Sequence, residues 1–179
     1  MEIEEIYKPY IYSIKYDDQE YCEFDRLFDA WNDMTEVVDF MRSHQEYLNN
    51  PIWGQTYTPE SAARKVRDEA NELDDLFYRL SENTSDGEQP DYDSHFKYLD
   101  GKYQVYEYIP MKSYGTGKPS FLRMYAIKLK NNLYVITGGG IKLADTIQNS
   151  PDLQKHVLQN IDKVRTWLIQ NGIIDEQDL

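Results

Sequence analysis

Residues Phe121–Lys142 read FLRMYAIKLKNNLYVITGGGIK, and their pattern decides the fold. Two runs rich in β-branched and aromatic residues, Phe121–Leu129 and Leu133–Thr137, flank Lys130-Asn131-Asn132. Asparagine tolerates the positive φ that tight reversals need, so the spacing predicts an antiparallel strand pair. Alternation along the first run puts Phe121, Arg123, Tyr125 and Ile127 on one face and Leu122, Met124 and Ala126 on the other. If the second set faces the core, Arg123 projects among aromatics on an open sheet face. An arginine there can fork two hydrogen bonds onto a phosphate or stack on a base. A salt bridge to acidic helices is the competing assignment.

Upstream, Tyr103–Ile109 reads as a further strand, and Met111–Pro119 (MKSYGTGKP) as a flexible stretch. Its Gly115–Ser120 segment lacks the glycine spacing of a phosphate-binding P-loop, and a strand rather than a helix follows. Downstream, Gly138-Gly139-Gly140 is either a crowded strand-to-helix corner or a nest of amides for an anion, with Lys142 close by. Ser150-Pro151-Asp152 starts a helix that Asn171-Gly172 stops, and Leu153, Val157, Ile161, Val164 and Leu168 form its buried stripe.

The first half has a different period. Tyr10–Tyr16 reads as a strand, after which Phe24, Leu27, Phe28 and Trp31 recur at helical spacing. A second helix is predicted from about Thr35 to Leu48, ended by Asn49-Asn50-Pro51. Thr58-Pro59-Glu60 opens a third, whose stripe runs from Ala62 to Leu80. Ser81–Ser94 is polar and acidic and reads as a linker. The predicted class is α+β: an antiparallel sheet of about four strands, packed with an N-terminal helical region and a C-terminal helix. One domain spans 1–179, comprising an acidic part (1–97), a basic strand-rich part with its helix (98–172) and an acidic tail (173–179).

Charge follows this division. The net charge is −13, yet residues 1–100 hold 9 basic against 25 acidic side chains and residues 101–179 hold 10 against 7. Such asymmetry predicts either a basic functional surface or complementarity between the halves. Cys22 is the single cysteine, which excludes an internal disulfide and a multi-cysteine metal site. His44, His95 and His156 are scattered without metal-ligand spacing, and Glu82–Asp93 is a poor match to a calcium loop, so no cofactor or metal is expected. The N-terminus lacks the pattern of a signal peptide, and no run approaches the roughly 18 apolar residues of a membrane helix. Cytoplasmic residence without a membrane partner is the expectation.

The order strand, helical region, then three antiparallel strands carries Glu107, Arg123-x-Tyr125, Ile136 and Lys142, followed by Thr146, Pro151 and a helix over Asp152–Gln170. Over about residues 98–170 this resembles the RelE/ParE toxin superfamily, especially its HigB-like branch. The resemblance implies a metal-independent ribonuclease that acts on messenger RNA, often on the ribosome, and pairs with an antitoxin. In that chemistry the 2′-hydroxyl attacks the adjacent phosphate, and cationic groups stabilise the developing charge. Carried over, Arg123 and Lys142 are the catalytic phosphate-facing groups, with Lys112, Lys118, Tyr125 and Lys130 as substrate contacts. Two departures stand out: members are basic, and their paired lysines are replaced here by Gly-Gly-Gly-Ile-Lys. Two other readings have no enzyme: an acidic helical module that docks a basic protein, and a homodimer paired through tyrosine-rich strands.

Overall fold

A computed structural model describes residues 1–82, 90–99, 107–154 and 156–179. Its centre is a six-stranded mixed sheet, with strands in the order β1 (Glu2–Tyr7), β2 (Ile11–Lys15), β6 (Tyr134–Ile141), β5 (Leu122–Lys128), β4 (Ile109–Tyr114) and β3 (Phe96–Tyr98). The β2–β6 pair is parallel and the other four pairs are antiparallel. The α+β class holds, but the sheet is wider than the four antiparallel strands predicted. β1 was missed because its carboxylates mask the alternation, and β3 because three residues carry too little pattern. Both are edge strands, where charge and shortness discourage pairing between molecules.

Parallel neighbours need a long crossover. Here it includes α1 (Glu23–Asn32), α2 (Met34–Ser43) and α3 (Pro59–Glu82). Each buries one stripe: Phe24, Leu27 and Trp31 on α1, Val37 and Met41 on α2, and Ala63, Val66, Ala70, Leu73 and Phe77 on α3. They cover the sheet face made by Ile11, Leu122, Met124, Ala126 and Ile136. On the opposite face, α4 (Val157–Gln170) packs Val157, Ile161, Val164 and Leu168 over Tyr12, Ile14, Tyr125, Ile127 and Val135. The central strands β2, β5 and β6 are thus largely covered on both sides.

Several boundaries move. β4 occupies the first part of the stretch read as flexible, whereas residues 103–106 of the proposed strand fall outside the described residues, as do 83–89 of the proposed linker. Phe121 precedes β5 and packs at a tilt on Trp53, ring centres 4.3 Å apart, in the layer of α1–α3 rather than beside Arg123. The second helix ends at Ser43, and a short 3-10 turn continues to Asn49. The last helix starts at Val157, not Asp152. Ser150 is buried, donates to the Ile141 carbonyl and accepts from the Leu143 amide at 2.8 Å, so it ties the exit of β6 instead of capping a helix. The asparagine turn is as predicted, with φ of 56° at Asn131 and 57° at Asn132. Among the described residues no helix is long and apolar enough to cross a membrane.

Candidate anion-binding site

Cross-strand register gathers cations on one part of the α4 face. Lys97 pairs with Lys112, Lys112 with Tyr125, and Tyr114 with Arg123. Partners directly opposite share a face, so β3, β4 and β5 together present Lys97, Lys112 and Arg123 with two tyrosines between them. Lys142 follows β6 immediately, and its amide bonds the Phe121 carbonyl at 2.7 Å, which brings the strand exit beside the start of β5.

Lys112, Arg123 and Lys142 line one recess of about 220 Å³, walled by Tyr114, Tyr125 and the segment 145–148. Arg123 is partly buried, its guanidinium carbon 4.2 Å above the Tyr114 ring centre and one nitrogen donating to the Ser120 carbonyl at 3.0 Å. Among the described residues, no carboxylate lies within 4 Å of the charged nitrogens of these three side chains. Three other lysines are held by acids: Lys65 lies 2.5 Å from Glu69, Lys128 2.5 Å from Asp93 and Lys130 2.7 Å from Glu107.

Half-buried charges brought together shift each other's protonation. Burial first, then Arg123, then Lys112 push the Lys142 ammonium below its ordinary pKa, with Asp145 acting the other way. Burial also lowers Arg123, opposed by Tyr114, Tyr125 and Glu69. A bound anion would relieve both effects, because it supplies the missing counter-charge.

The triple glycine belongs to β6 itself and forms neither a corner nor a nest. A Cβ on Gly139 would collide with the Arg123 carbonyl and stand 2.9 Å from Leu27 Cδ1, and one on Gly140 would collide with the Asp152 carboxylate. These residues let α1 and the 150–154 turn close on the strand. The amides just beyond are occupied: Ile141 N–H donates to Asp152 Oδ2 at 2.6 Å.

Of the residues singled out from sequence, Arg123, Lys142, Lys112 and Tyr125 come together. Arg123 does not stand on an open sheet face, since loops and Tyr114 enclose it. Tyr125 is buried, so its ring forms wall and its hydroxyl, with pKa raised by burial, is no surface contact. Lys118 lines a neighbouring, larger recess, and Lys130 lies beyond the opposite end of β5, paired with Glu107. Tyr114, Lys97 and Asp145 were missed. Alternation of Met111, Ser113 inward and Lys112, Tyr114 outward was the signal for the first, hidden by the glycines that follow.

Elsewhere, Glu4, Cys22 and Asp25 bring potential ligand atoms within 4.8 Å of one another, but burial raises the Cys22 thiol pKa, which opposes the thiolate a metal needs. No family model, curated protein or solved structure matches the chain.

Proposed function

We propose that the recess between Lys112, Arg123 and Lys142 holds a phosphodiester of RNA, and that the chain is a toxin-type ribonuclease of the RelE-like kind or a derivative that binds without cutting. The observation carrying this reading is that three cations of an acidic protein line one recess with no carboxylate partner within 4 Å among the described residues, while Lys65, Lys128 and Lys130 are each held by an acid. Charged groups left in this state favour an anion that completes them. The β4–β5–β6 meander, with arginine on its middle strand and lysine at its exit, is the part of the chain on which the resemblance rests.

The chemistry then needs no cofactor. The 2′-oxygen forms a bond to phosphorus, the bond to the 5′-oxygen breaks, and the products are a 2′,3′-cyclic phosphate and a 5′-hydroxyl. Arg123 and Lys112 stabilise the charge on the non-bridging oxygens. Lys142, made more acidic by burial and by Arg123 and Lys112, protonates the departing 5′-oxygen, and Asp145, which lines the same recess, takes the proton of the attacking hydroxyl.

Inducible expression tests this. Growth arrest with RNA cleavage is expected from the native chain, reduced by about two to three orders of magnitude in Arg123→Ala and Lys142→Ala, the loss typical of an oxyanion-stabilising donor. RNA binding without cleavage would leave the derivative. A protein that neither binds nor cuts RNA, with or without ribosomes, removes the reading. In that case a second becomes the better one: Asp25, Asp29, Asp33 and Glu36 are exposed on or beside α1 and α2 without a basic partner within 4 Å among the described residues, a surface suited to a basic protein. Salt-sensitive binding of such a protein, indifferent to Arg123, is its signature.

A further inference from the structure

A second recess, of about 800 Å³, lies against the first and shares Arg123 and Tyr114 with it. Its volume falls within the range of small-molecule sites. Leu76 of α3 and Pro119 supply apolar surface, and Lys97, Lys118 and His95 supply polar groups. We infer that this recess is a base-holding subsite for the nucleotide whose phosphate occupies the smaller one, and that it prefers guanine to adenine. The inference rests on the phosphate reading above and goes beyond it in naming what lies next to the phosphate.

Three features argue for a base there. Arg123 lines both recesses, so one guanidinium can contact the phosphate and the base of the same nucleotide, both of which suit it. Tyr114 is covered by Arg123 on its ring yet stays 39% exposed, which leaves aromatic surface for stacking. The wall between loop and helix is also built firmly. Ser120 donates to the buried Glu69 at 2.6 Å and Thr116 donates to Glu72, which tie the loop 115–120 to α3.

Guanine is favoured by the donor set. Lys97 and Lys118 carry donors only, and neither has a carboxylate within 4 Å among the described residues. They match the O6 and N7 acceptors on one edge of guanine, whereas adenine presents a donor at the corresponding exocyclic position. His95 is half-buried, with its pKa lowered by burial and by Lys97 against the pull of Asp91. That shift favours the neutral ring, one nitrogen of which can accept from a base N–H.

Calorimetric titration of the full chain with inorganic phosphate, 5′-GMP and 5′-AMP distinguishes the possibilities. GMP should bind about tenfold more tightly than phosphate, a difference of about 1.4 kcal/mol that lies within the contribution of stacking one base on an aromatic side chain. GMP should also bind about fivefold more tightly than AMP, about 1 kcal/mol by the same conversion. Lys97→Ala, an exposed strand position, should shrink the GMP-to-AMP ratio toward one. Nucleotides that bind no better than phosphate overturn the base subsite and leave the phosphate site standing. AMP binding as tightly as GMP overturns the edge assignment. No binding of any of the three overturns both this inference and the phosphate reading.

Discussion

Replacing Lys142 with methionine should make the free protein more stable and remove its response to phosphate. The ammonium shares its recess with Arg123 and Lys112 and is disfavoured by burial and by both neighbours. Methionine keeps much of the stem and removes the charge. Two unit charges about 4 Å apart repel by about 4 kcal/mol at an effective dielectric of about 20, and less in inverse proportion to their separation. Solvent screening at a half-buried position and the opposing Asp145 cut the net relief to about 1 kcal/mol. In a chain of this length that raises the midpoint of thermal unfolding by about 2–4 °C. Phosphate at a hundredfold excess over its dissociation constant should then add about 2.7 kcal/mol to the native protein and almost nothing to Lys142→Met. The sign with pH is also defined. A lysine whose folded pKa lies below its unfolded value of 10.5 leaves the folded state with fewer bound protons in that window. Native stability therefore rises with pH there relative to the variant, and the gap between the two proteins closes toward pH 10.5. Scanning calorimetry of both proteins, with and without phosphate, measures all of this. A variant that melts below the native protein, or equal stabilisation of both by phosphate, refutes the picture of an uncompensated cation cluster.

Two further outcomes follow from geometry away from the recess. Gly139→Ala should cost about 3 kcal/mol or more in urea denaturation, because the new methyl would meet the Arg123 carbonyl, a backbone atom of a central strand that cannot yield. Asp93 accepts from Lys128 and from the Tyr134 hydroxyl, and these bonds outweigh burial to hold its carboxyl below the ordinary value of 3.8. Its stabilisation is present above the unfolded pKa and fades as pH falls through the folded one, so Asp93→Asn should be destabilised at pH 7 and show a flatter acid-unfolding profile.

Legibility from sequence varied with the reach of the forces involved. α1, α3, the asparagine turn and the stop at Gly172, where φ is 68°, depend on spacing within a few residues and were read correctly. The alternation of β5 was equally local, and it placed Arg123 and Tyr125 on one face and Met124 on the other as found. Errors arose where local cues had distant causes. The triple glycine resembles a loop until Leu27 and Asp152 arrive from elsewhere in the chain and exclude a Cβ. Ser150-Pro151-Asp152 resembles a cap, but Ser150 and Asp152 are spent on the backbone at the end of β6.

By itself, the order of residues settled the mixed class, the helical stripes and the charge imbalance between the halves, because each depends on composition or on periods of two and 3.6. Which cations keep carboxylate partners was decided only by folding. Lys128 and Lys112 look alike in the chain, yet one meets Asp93 and the other meets Arg123 and Lys142. Pairing of that kind depends on how strands and the turns at their ends meet across the fold, and electrostatic neighbours at a few ångströms cannot be read from spacing along one strand.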